Sequence, residues 1–461
     1  MEYKHYQDYP DLYQIFAYLA DQGPCVFLDS SSRDQEGLYS VLALEPKLVL
    51  KDVAGQAYRN DQALAGDFLT ELQACLDAQD KLAIDGLPLV NPALGYFSYD
   101  FGCHLQGLAS QHEKQLIYPD AAWTFYETYL VEDHSKGRLT LISLHEEQES
   151  SSFFANWERR FETIRKQVPI FQEGTGIDQV IADCSPEDYM QKVEEIIDYV
   201  EAGDTYVTNL SRRIWLLTEQ DPLSYYLTLR ELNPAPYAAY FNFGDFQLLS
   251  SSPELFLEVA NGQITTRPIK GTCPRTGNPA KDSRYKKALE KSDKDRSELL
   301  MVTDLERNDL NRICQPGTVE VKGLFEVEAY ATVYHLVSTV VGKLASDTDL
   351  KQIFEATFPG GSITGSPKQR TMEIIDELEA SARGIYTGCL GYISPNQDMK
   401  FNIIIRSLVH QSGTYEIGLG GGITCESDPQ AEYEETVLKG QALVQSFQKS
   451  SEQKGEDEWF T

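Results

Sequence analysis

The feature that most limits the fold of this chain is a series of short, closely spaced β-type segments near its middle. Apolar and β-branched residues indicate strands at 214–217, 238–243, 246–250, 255–259 and 264–267. Such a series is typical of antiparallel sheet. We therefore predict a mixed α/β (α+β) fold: one large unit of packed antiparallel β-sheets, a sandwich with helices outside and an active site in the cleft between the sheets.

Helical patterns alternate with these strands. Ser185 is a suitable N-cap, Pro186 suits the first helical position, Asp188 completes a start that resembles a capping box, and Gly203 ends the helix. Further helices are predicted at about 283–311, 366–383 and 430–448. Further strands are predicted at 25–28, 41–44, 139–144, 318–328, 332–341, 401–409 and 415–419.

Changes in composition indicate where the parts of the chain begin and end. We predict an N-terminal α/β region at 1–165, a second, catalytic region at 180–448 and a polar, disordered tail at 449–461. The polar segment 146–153 and the glycine-containing segment 172–181 are predicted to be exposed connections.

The net charge of −31 over 461 residues excludes several partners. Nucleic acids and anionic membranes attract basic surfaces, so neither is expected. No apolar run approaches the ~20 residues that cross a bilayer, and residues 1–5 lack the apolar stretch of a signal peptide. The eight cysteines form no Cys-x-x-Cys pair, which favours a reducing cytoplasm. An anionic substrate would need a local device, such as backbone N–H groups, a buried cation or a metal ion.

Lys270 is the strongest single candidate for chemistry. It lies in the run 267–272, directly after the predicted strand at 264–267. A lysine that is partly desolvated in a site can lose its proton near neutral pH and act as a nucleophile. The alternative is an ordinary surface lysine on a turn, and the other candidate residues decide between the two.

Carboxylates on predicted helices suggest a cation site. Glu432 and Glu435, with Lys439 beyond them, share one helix face. Mg²⁺ binds through one or two carboxylates plus waters and substrate oxygens, so the pair predicts a hard-cation site, although a solvated acidic face has the same spacing. Glu298 lies in an apolar-rich helical segment, where a buried carboxylate needs a partner. Glu298 facing Glu435 across one metal ion would satisfy both.

Two glycine-rich segments are candidates for ligand contacts. Gly420, Gly421 and Gly422 end a strand shortly before the acidic helix, and three in a row suggest backbone donors aimed at a ligand. The segment 358–368 leads into a helix with Ser366 as its predicted N-cap. It lacks the Walker A pattern, so it favours a small carboxylate over a nucleotide.

Two basic residues interrupt apolar β segments. His335 is one, although a lone histidine there is more often structural. Arg406 follows three isoleucines inside the predicted strand at 401–409. A buried arginine requires a carboxylate partner, and bidentate capture of a substrate carboxylate is one use.

Taken together, these segments make the chain resemble the chorismate-utilising enzymes, the family of anthranilate synthase, aminodeoxychorismate synthase and isochorismate synthase. The segments that carry the resemblance are 297–312, 358–368, 383–392 and 420–439. The resemblance covers about 180–445 strongly and the N-terminal region weakly. It implies chorismate as substrate and Mg²⁺ as cofactor.

The resemblance also implies roles for individual residues. Glu298 and Glu435 look like Mg²⁺ ligands, with Glu432 close by through water, and the ion would bind the ring carboxylate of chorismate. Glu254 is similar to a carboxylate given a general acid/base role. The positions that would surround substrate are His335, Ser362, Tyr386, Arg406, Gly420, Gly421, Gly422 and Lys439.

Lys270 discriminates within the family, because anthranilate synthases typically carry alanine at this position and aminodeoxychorismate synthases carry lysine. In the implied mechanism neutral Lys270 attacks C2, the C4 hydroxyl leaves, and ammonia adds at C4 as the lysine is expelled. The product would be 4-amino-4-deoxychorismate, for p-aminobenzoate and folate biosynthesis. Arg406 and Tyr386 would hold the enolpyruvyl carboxylate. The chain has no Gly-x-Cys-x-Gly glutaminase elbow. The resemblance implies that a separate glutamine amidotransferase subunit supplies the ammonia, in a heterodimer.

Other positions bear on the alternatives. Val207 stands where relatives usually have glutamine, or lysine in the water-adding enzymes, and valine cannot activate water. Ser30, Pro236, Tyr237 and Ala238 resemble part of a pocket that holds L-tryptophan in relatives, so tryptophan binding is a further expectation. Anthranilate synthase component I is the nearest alternative, and a catalytically inactive subunit that binds tryptophan or chorismate for regulation is the alternative of another class.

Overall fold

The computed structural model describes residues 1–447 except 33–37, 85–86, 88, 146–149, 168–173 and 331–332. Parts of the predicted connections, at 146–149 and 172–173, and the predicted disordered tail at 449–461 therefore lie outside the described residues. The remainder of the second connection includes a strand at Gln179–Ala182.

Twenty-two strands, eleven α-helices and two short 3₁₀ helices lie in the described part of the chain. The strands are β1 (Glu2–Tyr6), β2 (Cys25–Asp29), β3 (Tyr39–Val53), β4 (Gln56–Arg59), β5 (Gln62–Ala63), β6 (Ala93–Phe97), β7 (Ala121–Asp133), β8 (Arg138–Ser143), β9 (Gln179–Ala182), β10 (Val207–Leu217), β11 (Tyr237–Asn242), β12 (Gln247–Ser252), β13 (Leu255–Ala260), β14 (Gln263–Thr266), β15 (Ile269–Pro274), β16 (Glu320–Ala329), β17 (Val333–Lys343), β18 (Gly365–Ser366), β19 (Cys389–Ile393), β20 (Met399–Ile403), β21 (Ser407–Gln411) and β22 (Thr414–Ile423). The helices are α1 (Leu12–Leu19), α2 (Phe68–Asp77), α3 (Tyr99–Leu105), α4 (Ser150–Ile164), α5 (Pro186–Ala202), α6 (Pro222–Leu232), α7 (Pro279–Glu290), α8 (Asp293–Asn311), α9 (Leu350–Thr357), α10 (Lys368–Leu378) and α11 (Pro429–Gln445), and the 3₁₀ helices are Ala20–Gln22 and Gly361–Ile363.

Two long strands, β3 and β7, pair along almost their whole length and join two sheets. From one half of this pair the first sheet runs through β2, β11, β12, β21 and β22 to β10. From the other half the second sheet runs through β6, β19, β20, β13 and β14 to β17, which also pairs with β15 and β16. A register shift between Pro46 and Leu48 lies between the two halves, and such shifts bend a strand. All of these pairings are antiparallel.

An apolar core fills the space between the two sheets. Val26 and Ala239 of the first sheet belong to the same buried cluster as Leu94 and Leu390 of the second. Two other clusters contain helical side chains: α1, α4, α6 and α11 on the first sheet, and α2 and α9 on the second. The predicted fold class, antiparallel sheets packed on one another with helices outside, is confirmed.

Local capping explains where the central helices begin. Ser185 and Asp188 form the predicted capping box at the start of α5. The long helical region predicted at about 283–311 consists of two helices, because Ser292 starts a new helix by accepting a hydrogen bond from the backbone N–H of Asp295 at 3.3 Å. The result is α7 followed by α8.

Two other local predictions differ from the structure. The predicted N-cap at Ser366 is wrong: Ser366 lies in β18, opposite Val207, and α10 begins after Pro367 without a side-chain cap. The predicted strand at 401–409 is interrupted at Arg406, which has a φ of 53° between β20 and β21. A residue in this left-handed region cannot continue a regular strand.

The predicted boundary near residue 165 stays a prediction. Strands from the two predicted regions pair with one another, β2 with β11 and β6 with β19, so both regions contribute to each sheet. Within the described ranges, no helix combines the length and apolar character needed to cross a bilayer.

Candidate active site

The candidate residues meet where β22 of the first sheet approaches β15 of the second. The space beside Gly422 shows this approach, since a Cβ placed on Gly422 would lie 3.4 Å from Lys270 Nζ and 4.0 Å from Glu298 Oε2. Val207 of β10 closes the same space, with its Cγ2 3.7 Å from that Cβ position. Gly422 therefore leaves open a gap between the two sheets that a side chain would fill.

The neighbouring glycine faces the acidic helix. A Cβ placed on Gly421 would lie 3.4 Å from Glu432 Oε2, 3.6 Å from Glu435 Oε1 and 3.7 Å from Lys439 Nζ. Lys439 pairs with Glu435 at 2.5 Å and donates a hydrogen bond to the carbonyl of Gly420 at 2.9 Å. Three carboxylates and two lysines thus converge on one stretch of strand that has no side chains.

The start of α11 explains why these carboxylates share one face. Asp428 caps the helix by accepting from the backbone N–H of Ala431 at 2.9 Å, which places Glu432 in the first turn. Glu432 is buried and also accepts from the hydroxyl of Ser427 at 2.7 Å. Glu435 lies three residues later on the same helix face, and its side chain is exposed to the cleft. A buried and an exposed carboxylate can therefore contact the same ligand.

Helix α8 contributes the third carboxylate, Glu298, and a further basic side chain, Lys294. Glu298 is half-buried, and burial, with the charges of Asp295 and Glu432, raises its pKa against the opposing effect of nearby lysines. Lys294, one turn earlier, reaches Glu432 Oε1 at 3.5 Å. The sequence reasoning missed Lys294, although its spacing of four residues from Glu298 puts both on one helix face.

Lys270 reaches the cleft because β15 is irregular at this point. The register with β17 shifts between Lys270 and Thr272, and Gly271 adopts a φ of 71°. A Cβ on Gly271 would lie 2.8 Å from Asp295 Cγ, so glycine also permits the close approach of α8. Lys270 Nζ donates to the carbonyl of Ser362 at 3.3 Å.

Glu254 lies on the other side of Ser362. It is buried, and both Ser362 and Lys270 lie near its carboxylate. Burial raises the pKa of Glu254, while Ser362 and the charge of Lys270 oppose that effect. A carboxyl group of raised pKa beside an amine is a suitable proton donor and acceptor.

His335 and Arg406 lie at the edge of the same cleft. His335 Nδ1 is 2.9 Å from Thr272 Oγ1, and burial together with the Arg406 charge lowers its pKa to about 4. The imidazole is therefore neutral near neutral pH. Arg406 donates to the carbonyl of Lys439 at 3.1 Å, so its left-handed backbone directs it towards α11.

Tyr386 packs against the strand that carries the glycines. A Cβ on Gly418 would lie 2.1 Å from Tyr386 Cγ, so the ring requires glycine there. The guanidinium of buried Arg213 lies 4.7 Å from the centre of the Tyr386 ring. Sequence reasoning missed Arg213, because two adjacent arginines within a strand, at 212 and 213, give no signal of what either side chain contacts.

The residues present fit a hard cation with few protein ligands. Within the described ranges, no group of three histidine, cysteine or acidic side chains is arranged to hold an ion by itself. Mg²⁺ needs only one or two carboxylates when waters and substrate oxygens complete its coordination. Glu298 and Glu435 face the gap beside Gly421 and Gly422 and offer that donor set.

A separate cavity contains the residues predicted to bind tryptophan. Ser30, Pro236, Tyr237 and Ala238 line a space of about 200 Å³ between β2, β11 and β20. Lys400 also lines it, with Nζ 5.4 Å from the centre of the Tyr237 ring. The predicted residues are therefore together, outside the cleft that holds Lys270.

Residues 23–445 match the family of chorismate binding enzymes. The chain belongs to this family. The predicted membership of the chorismate-utilising enzymes is thereby confirmed, and it covers the N-terminal region that the motifs covered weakly.

Individual relatives include enzymes of two activities. The chain is 36% identical over 385 residues to aminodeoxychorismate synthase component 1 of Escherichia coli (strain K12), covering 83% of each chain. It is 35% identical over 442 residues to a probable chloroplastic aminodeoxychorismate synthase of Oryza sativa subsp. japonica, covering 88% of this chain and 49% of the rice protein. The chain thus spans about half the length of the rice relative. In structure it is similar to anthranilate synthase component I from Streptococcus pneumoniae TIGR4, with a TM-score of 0.79, 30% identity and coverage of 88% and 92%.

Proposed function

We propose that this chain is the chorismate-aminating component of an aminodeoxychorismate synthase, forming 4-amino-4-deoxychorismate from chorismate and ammonia. The observation that carries the proposal is the position of Lys270 Nζ at the glycine strand, beside Glu298 and Glu254. An amine at this place can bond to a substrate ring lying in the gap. The aminodeoxychorismate synthases among the relatives support the same choice.

The chemistry divides between Lys270 and Glu254. Neutral Lys270 bonds to C2 of chorismate, both ring double bonds shift, and the C4 hydroxyl leaves as water with a proton from Glu254. Ammonia then bonds to C4, both double bonds shift back, and Lys270 leaves as the neutral amine. The new ammonium group returns a proton to Glu254. Chorismate and ammonia are thus converted to aminodeoxychorismate and water, with both side chains restored.

Other residues bind and orient the substrate. Arg406 and Tyr386 hold the enolpyruvyl carboxylate, and neutral His335 can accept or donate one hydrogen bond without adding charge. Lys439, held by Glu435 and the carbonyl of Gly420, fixes the face of α11 towards the glycine strand. These contacts would bring C2 of the ring next to the amine.

Glu298 and Glu435 would hold Mg²⁺, with Glu432 close by. When bound, the ion supplies positive charge to the ring carboxylate of chorismate and makes the ring more electrophilic. Lys294 and Lys439 form ion pairs with Glu432 and Glu435.

Val207 disfavours the water-adding reactions of the family. Its side chain lies against the gap at Gly422, where an apolar group cannot activate water. Anthranilate synthase activity is the second candidate, because the solved anthranilate synthase component I is similar in structure. A regulatory subunit without catalysis is disfavoured by the convergence of Lys270 with the carboxylates.

Partners and location are part of the proposal. Ammonia comes from a separate glutamine amidotransferase subunit, in a heterodimer, and free ammonia substitutes for it in vitro. L-Tryptophan occupies the cavity at Ser30 and Ala238, where it would have a structural or regulatory role. The product serves p-aminobenzoate and folate biosynthesis in the cytoplasm.

Product analysis tests the proposed reaction. Purified chain is incubated with chorismate, Mg²⁺ and ammonium, and the products are separated by chromatography. We expect aminodeoxychorismate and no anthranilate. Lys270→Ala should remove that product, whereas Lys322→Ala, which changes an exposed lysine of β16, should leave the rate unchanged. Prompt formation of fluorescent anthranilate by the wild type would contradict the proposal, and absence of turnover at high ammonium would favour the regulatory subunit.

Mass spectrometry tests the covalent step separately. Chorismate is added without ammonium, and the intact protein and its peptides are weighed. We expect an adduct on the peptide that contains Lys270 and none in Lys270→Ala. Full amination without any adduct in rapidly quenched samples would exclude the lysine as nucleophile.

A further inference from the structure

A buried acidic group lies behind the active site, on the same helix that carries Glu298. Glu306 follows eight positions later on α8, about 12 Å further along the helix and on a similar face. It is only 8% exposed. Neither the sequence motifs nor the proposed mechanism assigns it a role.

The hydrogen bonds of Glu306 indicate its protonation state. Glu306 Oε2 lies 2.7 Å from Thr266 Oγ1, and the same Oγ1 lies 2.8 Å from the carbonyl oxygen of Phe256. A hydroxyl has one proton to donate, and a carbonyl can only accept. Phe256 lies where the register between β13 and β20 shifts. Its carbonyl therefore accepts from the Thr266 hydroxyl in place of a backbone N–H of the neighbouring strand. Both hydrogen bonds form together only if Glu306 carries a proton and donates it to Thr266.

The charges around Glu306 favour the same state. Burial is the largest effect, and with the charges of Glu254 and Asp309 it raises the pKa of Glu306 to about 8. Thr266 and Lys368 oppose the shift. Lys368 is already paired with Asp309 at 2.7 Å, which leaves it a weak counter-ion for a second carboxylate.

Glu306 also lies directly under the loop that holds the reacting groups. A Cβ on Gly361 would lie 3.5 Å from Glu306 Cγ. The next residue is Ser362, whose carbonyl accepts from Lys270 Nζ at 3.3 Å and whose side chain opposes the rise in the pKa of Glu254. A movement of Glu306 would therefore reach both proposed catalytic groups through one peptide unit.

We propose that Glu306 is a positioning residue that must remain protonated for Ser362 to hold Lys270 and Glu254 in place. This inference rests on the proposed function. Loss of the proton puts a buried negative charge opposite Glu254 and Asp309 and makes the carboxylate compete with the Phe256 carbonyl for one hydroxyl. Activity then falls as Glu306 ionises.

Glu306→Gln is the matched variant, because the amide keeps the size and can donate to Thr266 but cannot ionise. Chorismate turnover with ammonium and Mg²⁺ is measured for both proteins at a series of pH values. Comparing the two rates at each pH cancels the change in free ammonia. We expect similar rates at neutral pH and about a tenfold advantage of the variant one pH unit above the ionisation of Glu306. A ratio that stays constant with pH would overturn the proposal.

Urea unfolding without substrate provides a second test that does not depend on turnover. The wild type should lose stability relative to Glu306→Gln as the pH rises from the ordinary value of 4.5 to about 8, and the difference should then level off. If the difference in the free energy of unfolding between the two proteins did not change with pH, Glu306 would not hold its proton in the folded state and the proposal would be overturned. A wild type that consumes no chorismate would instead overturn the proposed function, so the two failures are distinguishable.

Discussion

Alanine substitutions at two adjacent glycines should have different effects: Gly421→Ala should weaken ligand binding, and Gly420→Ala should lower the stability of the fold. In Gly421→Ala the new methyl group would lie 3.4 Å from Glu432 Oε2 and 3.6 Å from Glu435 Oε1, at contact distance from flexible side-chain ends. Gly421 is not among the residues with positive φ, so alanine brings no backbone strain. We expect the free energy of unfolding to change by no more than about 0.5 kcal/mol.

The same methyl group would occupy the space proposed for the ligand. Forcing a methyl-sized group into a filled site costs about 1–3 kcal/mol, which corresponds to a decrease in kcat/KM for chorismate of roughly 5- to 150-fold. Steady-state kinetics at fixed Mg²⁺ and ammonium would measure this decrease. The loss should include weaker binding of chorismate and of the ion, since the methyl group faces both carboxylates of α11.

Gly420→Ala should instead lower the free energy of unfolding. Its Cβ would lie 2.4 Å from the carbonyl oxygen of Leu210 and 2.8 Å from Ser211 Cβ, so the backbones of β10 and β22 must separate. We expect a loss of about 1–3 kcal/mol in the free energy of unfolding, measured by urea titration. If Gly421→Ala kept wild-type kinetics, the gap beside it would not be the ligand site. Equal losses of stability in both variants would refute the steric reasoning.

Three further predictions concern the carboxylates, the separate cavity and the buried histidine. Glu298→Gln and Glu435→Gln should each raise the Mg²⁺ concentration for half-maximal activity by about 10- to 100-fold, while exposed Glu434→Gln should not; unchanged Mg²⁺ dependence would exclude these ligands. Ala238→Trp should fill the cavity and abolish L-tryptophan binding in calorimetry without removing chorismate turnover. Burial lowers the pKa of His335 from 6.5 to about 4. Neutral His335 therefore contributes fully to the free energy of unfolding above pH 6.5, and this contribution is lost as the pH falls towards 4. His335→Gln should remove at most about 3 kcal/mol of this pH dependence in urea unfolding.

The fold could be predicted from local patterns wherever those patterns were sufficient. The central strands followed from runs of apolar and β-branched residues, and α5 followed from its capping box. The break at Ser292 did not, because both flanking segments are helical in composition and only the cap separates them. Likewise the turn at Arg406 directly follows three isoleucines, and no local signal marks its left-handed backbone.

The composition of the site was more predictable than its geometry. The acidic pair on α11 and the glycine strand have spacings that the sequence shows directly. Their convergence with Lys270 depends on antiparallel sheets joined by β3 and β7, which are distant in sequence from every site residue. Glu306 was missed for the same reason, since its partners Thr266 and Phe256 lie on strands that only the tertiary fold brings to α8.

The arrangement of charges explains how so acidic a chain could bind an anion. With a net charge of −31, the protein as a whole repels anionic ligands, but salt screens such interactions beyond about 8 Å. Within that distance the cleft presents Lys439 at the glycine strand and Lys294 beside Glu432, with Arg406 donating to the backbone of α11. The carboxylates between them would hold a divalent cation rather than meet the substrate bare. Recognition of chorismate would therefore depend on groups at contact distance, which is why the cleft holds basic side chains in a chain where acidic residues outnumber them.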